Sequence, residues 1–120
     1  MPSMNNIIEE FVRLMDMNKC EDIKVLDMRG ITYIADYFII ATIKNKPHAD
    51  MICRKLDELN FNLPGSSYFH VEGKEVVDWM LIDTGDVIVH LFQQETRAYY
   101  NLDALWGDAE EIDISSLLTE

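Results

Sequence analysis

The sequence contains only two cysteines, Cys20 and Cys53, and they do not form a C-x-x-C pair. This count supports neither a disulfide framework nor a zinc site with the usual ligand spacing. Both are expected to be small hydrophobic residues in a reducing compartment. A Gly-rich phosphate loop of the G-x-x-x-x-G-K-[ST] type is also missing, which removes the strongest sequence signal for a nucleoside triphosphate site.

Basic residues are scarce as well. The 120 residues include 10 Lys and Arg against 22 Asp and Glu, which gives a formal net charge of −12. Nucleic-acid affinity comes chiefly from Lys and Arg neutralising phosphates, so direct nucleic-acid binding is not expected. A basic protein or a metal cation is the expected charged partner.

Long hydrophobic runs are missing too. No apolar stretch approaches the ~20 residues of a membrane-spanning helix. The N-terminal stretch MPSMNNIIEE has neither a basic region nor an apolar core, so no signal peptide is predicted. These features predict a cytoplasmic protein.

A globular core is nevertheless expected, because 48% of the residues are hydrophobic. Hydrophobic spacing predicts one α/β domain over residues 1–107, with a single mixed sheet of about five strands and helices packed on it. Residues 108–120 are predicted to be a loosely held acidic tail. The predicted elements are a helix at 5–18, strands at 23–28 and 35–42, a helix from Pro47, a strand at 68–71, a hairpin at 76–92 and helical pieces at 94–106.

The hairpin DWMLIDTGDVIVH (78–90) carries the most informative pattern. With a two-residue loop and Gly85 third in the turn, the predicted pairs are Trp79 with His90, Leu81 with Ile88, Asp83 with Asp86 and Val77 with Phe92. Both faces are apolar, so one must cover the core and the other must be covered by a helix or by a partner. The face with Trp79 and His90 is assigned to recognition, because aromatic anchors beside charged groups are typical of binding hot spots. The alternative is that Trp79 is a core tryptophan.

The turn also permits an enzyme hypothesis, in which Asp83, Asp86 and Asp78 hold Mg²⁺ for phosphoryl or nucleotidyl transfer. Against it, Asp and Gly are common turn residues, Asp78 should face away from Asp83, and no Lys or Arg lies nearby to hold a triphosphate. No metal, cofactor or catalytic residue is therefore expected. His48 and His70 are expected to be hydrogen-bonded structural residues.

Several segments together resemble the ribosomal silencing factor family, also known as RsfS or Iojap-like proteins. The matching segments are ADYFIIAT (35–42), His48, VEG (71–73), DWMLIDTGDVIVHLF (78–92), and the block formed by Arg97, Tyr99, Tyr100, Leu102, Leu105 and Trp106. The sequence departs from the family pattern at Ile43, Asn45 and Pro47, in the loop before the second helix. Pro47 is well suited to a helix start, which indicates that this loop is mainly structural.

The resemblance implies a nucleotidyltransferase-like topology without known catalysis. It also implies binding to the large ribosomal subunit through ribosomal protein uL-fourteen, which blocks association with the small subunit and represses translation when nutrients are scarce. Free family members are often homodimers, and organellar members act in large-subunit assembly. The ribosomal-protein-binding residues carried over from the resemblance are Trp79, Leu81, Asp83, His90, Arg97, Tyr99 and Trp106.

Two alternatives to the silencing function stay open from the sequence. One is a metal-dependent nucleotidyltransferase-like enzyme that uses Asp83 and Asp86. The other is a large-subunit assembly factor without silencing activity, which would need the same docking surface. An acidic protein suits a basic ribosomal protein in either ribosomal role, since complementary charges speed and orient docking.

Overall fold

The computed structural model describes residues 4–65, 68–73 and 78–118. One six-stranded sheet runs in the order β3-β4-β5-β2-β1-β6, and only the central β2–β5 pair is parallel. The predicted mixed α/β fold is therefore confirmed, with one strand more than expected. The elements in chain order are α1 Met4–Met17, β1 Glu21–Asp27, β2 Tyr37–Thr42, α2 Lys46–Asn62, β3 His70–Glu72, β4 Trp79–Asp83, β5 Val87–Phe92, α3 Gln94–Tyr100, α4 Leu102–Leu105 and β6 Glu110–Ile112, followed by a 3₁₀ turn at Ser115–Leu117.

The two long helices cover one face of the sheet. In α1, Ile8, Phe11, Val12 and Met15 are all buried, at the three- and four-residue spacing that forms one helical stripe. The second helix begins at Lys46, one residue before Pro47, and the side chain of Asn45 caps it by accepting from the His48 amide at 2.9 Å. The side of the sheet under α1 and α2 is called the helical face below.

The central strands β2 and β5 are buried along their whole length. Their alternating side chains divide between two separate clusters. One cluster packs under α1 and α2, and the other fills the opposite side of the sheet, called the aromatic face below. The buried apolar residues contributed to the aromatic face by β2 and β5 are Phe38, Ile40, Ile88 and Phe92.

The β4–β5 hairpin has the predicted faces but not the predicted register. Trp79 lies opposite Phe92, and Leu81 lies opposite His90, a shift of two residues from the predicted pairs. The turn is closed by a hydrogen bond in which the Thr84 amide donates to the Val87 carbonyl at 2.9 Å. Gly85 is therefore second in the turn and not third, with φ of 97°, the position where a type II′ hairpin needs glycine. A shift of two residues keeps every side chain on its predicted face. Val77 lies outside the described residues.

Residues after Gly107 differ from the predicted loose tail. Strand β6 pairs antiparallel with β1, so that Val25 lies opposite Ile112. Ile114 is buried in the cluster of the helical face, and the following 3₁₀ turn packs beside it through Leu117. The acidic composition hid this pairing, because β6 pairs through backbone hydrogen bonds and Ile112 is the one apolar residue among its three.

Ile114→Ala is therefore expected to lower the free energy of unfolding by about 2 kcal/mol or more, the usual cost of truncating a buried isoleucine. Chemical denaturation measures the effect, with Leu118→Ala as the control because Leu118 is exposed. Equal stability of the two variants would show that the end of the chain does not belong to the core.

His48 has the structural role that the sequence predicted for it. Its Nδ1 accepts from the Lys44 amide at 3.0 Å, and its Nε2 lies 2.7 Å from the Asn18 carbonyl, to which it donates. The buried ring thus connects the end of α1 to the loop before α2. His70 is exposed and lies 3.4 Å from the Glu72 carboxylate.

Candidate functional site

An array of rings lies on the aromatic face, centred on His90 and Trp79. The His90 ring centroid lies 4.7 Å from that of Phe38, 5.9 Å from Trp79 and 6.4 Å from Phe92. Trp79 in turn lies 4.9 Å from Phe92 and 5.0 Å from Tyr100. His90 and Phe92 are buried, whereas Trp79 is half-buried. The array therefore has a buried base and a partly exposed edge.

Within this array, His90 and Trp79 are joined by a hydrogen bond. The indole Nε1–H of Trp79 donates to Nδ1 of His90 at 3.2 Å. His90 is 4% exposed, and burial lowers the pKa of its imidazole from 6.5 to about 4. Among the described residues its ring packs against Phe38, Trp79 and Phe92, none of which changes charge in this range. The imidazole is therefore neutral at physiological pH.

This burial has a consequence for acid stability. The unfolded chain binds a proton at His90 near pH 6.5, whereas the folded protein takes it up only near pH 4. Stability should be fully present above about pH 6.5 and be lost as the pH falls through about 4, by about 3 kcal/mol from this residue. Denaturation between pH 7 and pH 4 measures the loss, and His90→Phe should flatten the curve. An unchanged slope in that variant would contradict the assignment to His90.

Helix α3 brings Tyr100 to the array and leaves Tyr99 outside it. Tyr100 is 48% exposed and contacts Trp79, while Tyr99 is 82% exposed and packs edge-on against Tyr100 at 5.2 Å. Sequence reasoning selected Tyr99 and missed Tyr100. The spacing could have identified it, because Arg97 and Tyr100 are three residues apart and therefore lie on the same side of the helix.

Arg97 points into the protein, with its side chain only 12% exposed. Its guanidinium donates to the Asp22 carbonyl at 2.6 Å, to the Thr42 hydroxyl at 3.0 Å and to both carboxylate oxygens of Asp103. Asp22 lies in a bulge of β1 and has a φ of 49°, which turns the strand locally. Arg97 thus fastens α3 and α4 to the ends of β1 and β2.

Asp103 completes this clamp from α4. Its carboxylate contacts Lys24 at 3.2 Å in addition to Arg97. Burial raises the pKa of Asp103, but the hydrogen bonds and charges of Arg97 and Lys24 outweigh it, and the net pKa is lowered. The ion pairs of Asp103 with Arg97 and Lys24 hold α3 and α4 against the sheet. Tyr100 of α3 and Leu102 of α4 are thereby placed on the aromatic face.

Asp83 and Asp86, the two acidic residues at the hairpin turn, both make hydrogen bonds that stabilise the local structure. The Asp83 carboxylate accepts from the Gly85 amide at 2.8 Å, and the Asp86 carbonyl accepts from the amides of Asp36 and Tyr37. Within residues 4–65, 68–73 and 78–118, no group of three or more His, Cys, Asp or Glu side chains could hold a metal ion. Asp78 lies before β4 and outside the strand.

The seven residues predicted as a contact set therefore separate into different environments. Trp79, Leu81 and Trp106 are half-buried around the cluster of the aromatic face, and Asp83 lies half-buried at the turn end of β4. His90 is buried beneath Trp79 and Arg97 forms the clamp. Tyr99 is the most exposed of the seven. Phe38 and Phe92, which sequence reasoning did not select, form the base of the array.

Trp106 and Leu105 extend this surface beyond the short helices. Trp106 packs edge-on against Phe38 at 5.8 Å, and Leu105 is exposed. The edge of the aromatic face thus combines partly exposed apolar side chains with Asp83 at one end. None of the helices in the described part of the chain is long and apolar enough to cross a membrane.

Comparison with known proteins matches residues 1–120 to the family model described as ribosomal silencing factor during starvation. A Ribosomal silencing factor RsfS from Halalkalibacterium halodurans is 35% identical over 117 residues, covering 98% of this chain and 99% of its own. The same factor from Bacillus subtilis is 37% identical over 113 residues, covering 93% and 94%. The mouse protein named Mitochondrial assembly of ribosomal large subunit protein 1 is 31% identical over 101 residues, covering 82% of this chain and 44% of its own.

The fold comparison agrees with the sequence comparison. A crystal structure of a protein from Bacillus halodurans superposes with a TM-score of 0.76 at 32% identity, covering 91% of this chain and 98% of that one. A family match over the whole chain and full-length relatives above 30% identity lead to one assignment. This chain belongs to the ribosomal silencing factor family.

Proposed function

We propose that this protein binds the large ribosomal subunit through ribosomal protein uL-fourteen and sterically blocks association with the small subunit. Translation would then be repressed, as the description of the family for starvation implies. The observation that carries the proposal is the half-buried apolar edge of the aromatic face, made by Trp79, Leu81 and Tyr100. Both long helices pack on the other face, so this edge is left for a partner.

The aromatic edge has the composition of a docking hot spot. Trp and Tyr are enriched at such sites because they bury a large apolar area while keeping a polar group. Trp79 packs on Phe92 and beside Tyr100, and its indole N–H donates to His90, so its ring is already ordered before a partner arrives. A preordered anchor loses less conformational entropy on binding.

The charge of the protein supports a basic partner. With a net charge of −12, the protein is attracted to a basic ribosomal protein and repelled by the phosphates of ribosomal RNA. Asp83 lies at the end of the strand that carries Trp79, where its carboxylate is only partly covered. We infer that Asp83 orients the encounter and that Trp79 supplies most of the affinity.

Asp83→Asn tests the electrostatic part of this proposal. The amide oxygen can still accept from Gly85, so the turn is retained while one negative charge is removed. We expect association with purified uL-fourteen to slow several-fold at low salt and to converge with the wild-type rate at high salt. Stopped-flow mixing measures the rates, and Asp57→Asn on the exposed side of α2 is the control. Equal rates for Asp83→Asn and wild type at every salt concentration would remove the steering role.

We propose that this activity is binding and not catalysis. The relatives are named as silencing factors, and the Asp83 carboxylate is already bonded to the Gly85 amide. Calorimetry with Mg²⁺ and nucleoside triphosphates tests the enzyme hypothesis, and heat of binding at low millimolar ligand would revive it.

A cytoplasmic location and a homodimeric free form are further parts of the proposal. Analytical ultracentrifugation of the free protein tests the homodimer.

An assembly role uses the same surface. The mouse relative is named for assembly of the mitochondrial large subunit, and an assembly factor would also have to dock on that particle. Silencing differs in one measurable respect, since it lowers the joining of mature subunits. We favour silencing for this chain because its full-length bacterial relatives carry that name.

A further inference from the structure

The hydrogen bond between Trp79 and His90 leaves one polar atom without a partner. Because Nδ1 of His90 accepts from the indole, the proton of the neutral ring is on Nε2. Nε2 is buried, and it has no hydrogen-bond partner among the residues that the structure describes. A buried donor without an acceptor lowers the stability of the folded protein.

An apolar side chain at this position would avoid that loss. His90 lies on a central strand among Phe38, Phe92 and Trp79, an environment in which leucine occupies a similar volume and needs no hydrogen bonds. Folding alone therefore does not explain a histidine here. Within the described part of the chain, the one polar interaction that its side chain makes is the hydrogen bond from Trp79.

The indole has few other constraints on its orientation. Its contacts with Phe92 and Tyr100 are tilted ring contacts, with interplanar angles of 34° and 51°. Such contacts are weakly directional compared with a hydrogen bond, and the indole is only half-buried. The bond from Nε1 to His90 fixes one edge of the ring against the sheet.

We propose that His90 is a positioning residue, which holds the Trp79 indole in the orientation needed for docking and does so at a cost in stability. The proposal rests on the function proposed above, in which Trp79 is the docking anchor. His90 itself is covered by the ring array, so the docked partner touches Trp79 and not His90. This replaces the direct contact role that the family resemblance assigned to His90.

Two substitutions separate positioning from packing. His90→Leu removes the acceptor and also the unsatisfied donor, so its free energy of unfolding should equal or exceed that of the wild type. His90→Asn retains an acceptor near the position of Nδ1, although it leaves a small cavity. We expect His90→Leu to weaken large-subunit binding about tenfold and His90→Asn to bind more tightly than His90→Leu despite its lower stability. The reverse order of affinities would overturn the proposal.

A double-mutant cycle shows whether His90 acts through the indole. In a Trp79→Phe background there is no indole N–H to hold, so adding His90→Leu should change affinity less than twofold. A loss of about tenfold in that background as well would mean that His90 contributes independently of Trp79, which contradicts the proposal.

The orientation of Trp79 is also measured without any partner. In ¹H–¹⁵N spectra the indole N–H of Trp79 should exchange slowly in wild type and faster in His90→Leu, while Trp106 serves as the internal reference. If Trp79 responds but the wild type does not bind large subunits, the positioning role stands and the proposed function fails. Unchanged exchange at Trp79 in His90→Leu would overturn the positioning role whatever the binding result.

Discussion

Trp79→Ala is expected to weaken binding to the large ribosomal subunit at least thirtyfold while the protein stays folded. Truncation of a hot-spot tryptophan costs about 2 kcal/mol or more of binding free energy, and each 1.4 kcal/mol is tenfold in affinity. The loss should appear mainly as faster dissociation. Competition binding to purified large subunits measures the affinity, and circular dichroism with thermal melting monitors the fold.

The matched control for this substitution is Phe61→Ala. Phe61 is an exposed aromatic residue near the end of α2, a helix that covers the opposite side of the sheet, so its removal should leave affinity within twofold of wild type. Leu81→Gln provides a second probe of the same edge with a smaller change in volume, and it should weaken binding in the same direction. Loss of the fold in Trp79→Ala together with normal binding by Leu81→Gln would assign Trp79 to the core.

Phe92→Ala should be among the most destabilising substitutions of the chain. Phe92 is fully buried, lies 4.9 Å from Trp79 and 6.2 Å from Tyr100, and belongs to the cluster of the aromatic face. Removing a buried phenylalanine side chain lowers the free energy of unfolding by about 3–5 kcal/mol. For a domain of this size, each kcal/mol lowers the melting temperature by about 3–5 °C.

Tyr99→Ala is the control for the stability measurement. Tyr99 is close to Phe92 in the chain but exposed, so its substitution should change the free energy of unfolding by less than about 0.5 kcal/mol. Urea denaturation followed by circular dichroism gives both values. A small loss in Phe92→Ala, comparable with that of Tyr99→Ala, would mean that the ring array is not part of the stabilising core.

The elements that carry strong hydrophobic periodicity were predictable from the sequence. The stripe from Ile7 to Met15 predicted α1, and the apolar run at 35–42 predicted a strand covered on both faces. The faces of the hairpin were also predictable, because side chains alternate whatever the turn. The register of the hairpin depended on the position of Gly85 in the turn. A type I′ turn favours glycine as its third residue, whereas a type II′ turn needs glycine as its second.

Two other features depended on contacts between segments distant in the chain. Strand β6 is short and acidic, and it is ordered by pairing with β1, which no local pattern reveals. Arg97 bonds to Asp22 and Thr42, which are 75 and 55 residues away. The sequence indicated an important arginine, but only the fold distinguishes a clamp from a contact residue.

The candidate site was predictable in location more than in detail. The sequence placed an aromatic surface on the face of Trp79, and the structure has a ring array there. The prediction chose Tyr99 over Tyr100 without using the three-residue spacing that places Arg97 and Tyr100 on one side of α3. The sequence could not show that His90 lies beneath Trp79, since burial on a two-faced hairpin depends on which helices cover each side.

The central claim is tested most directly by sedimentation of purified ribosomal subunits with and without this protein, at physiological salt and magnesium. We expect the wild-type protein to sediment with the large subunit and to lower the fraction of joined ribosomes as its concentration rises. A protein that stays at the top of the gradient, or that sediments with large subunits while joining proceeds undiminished, would contradict the proposed block.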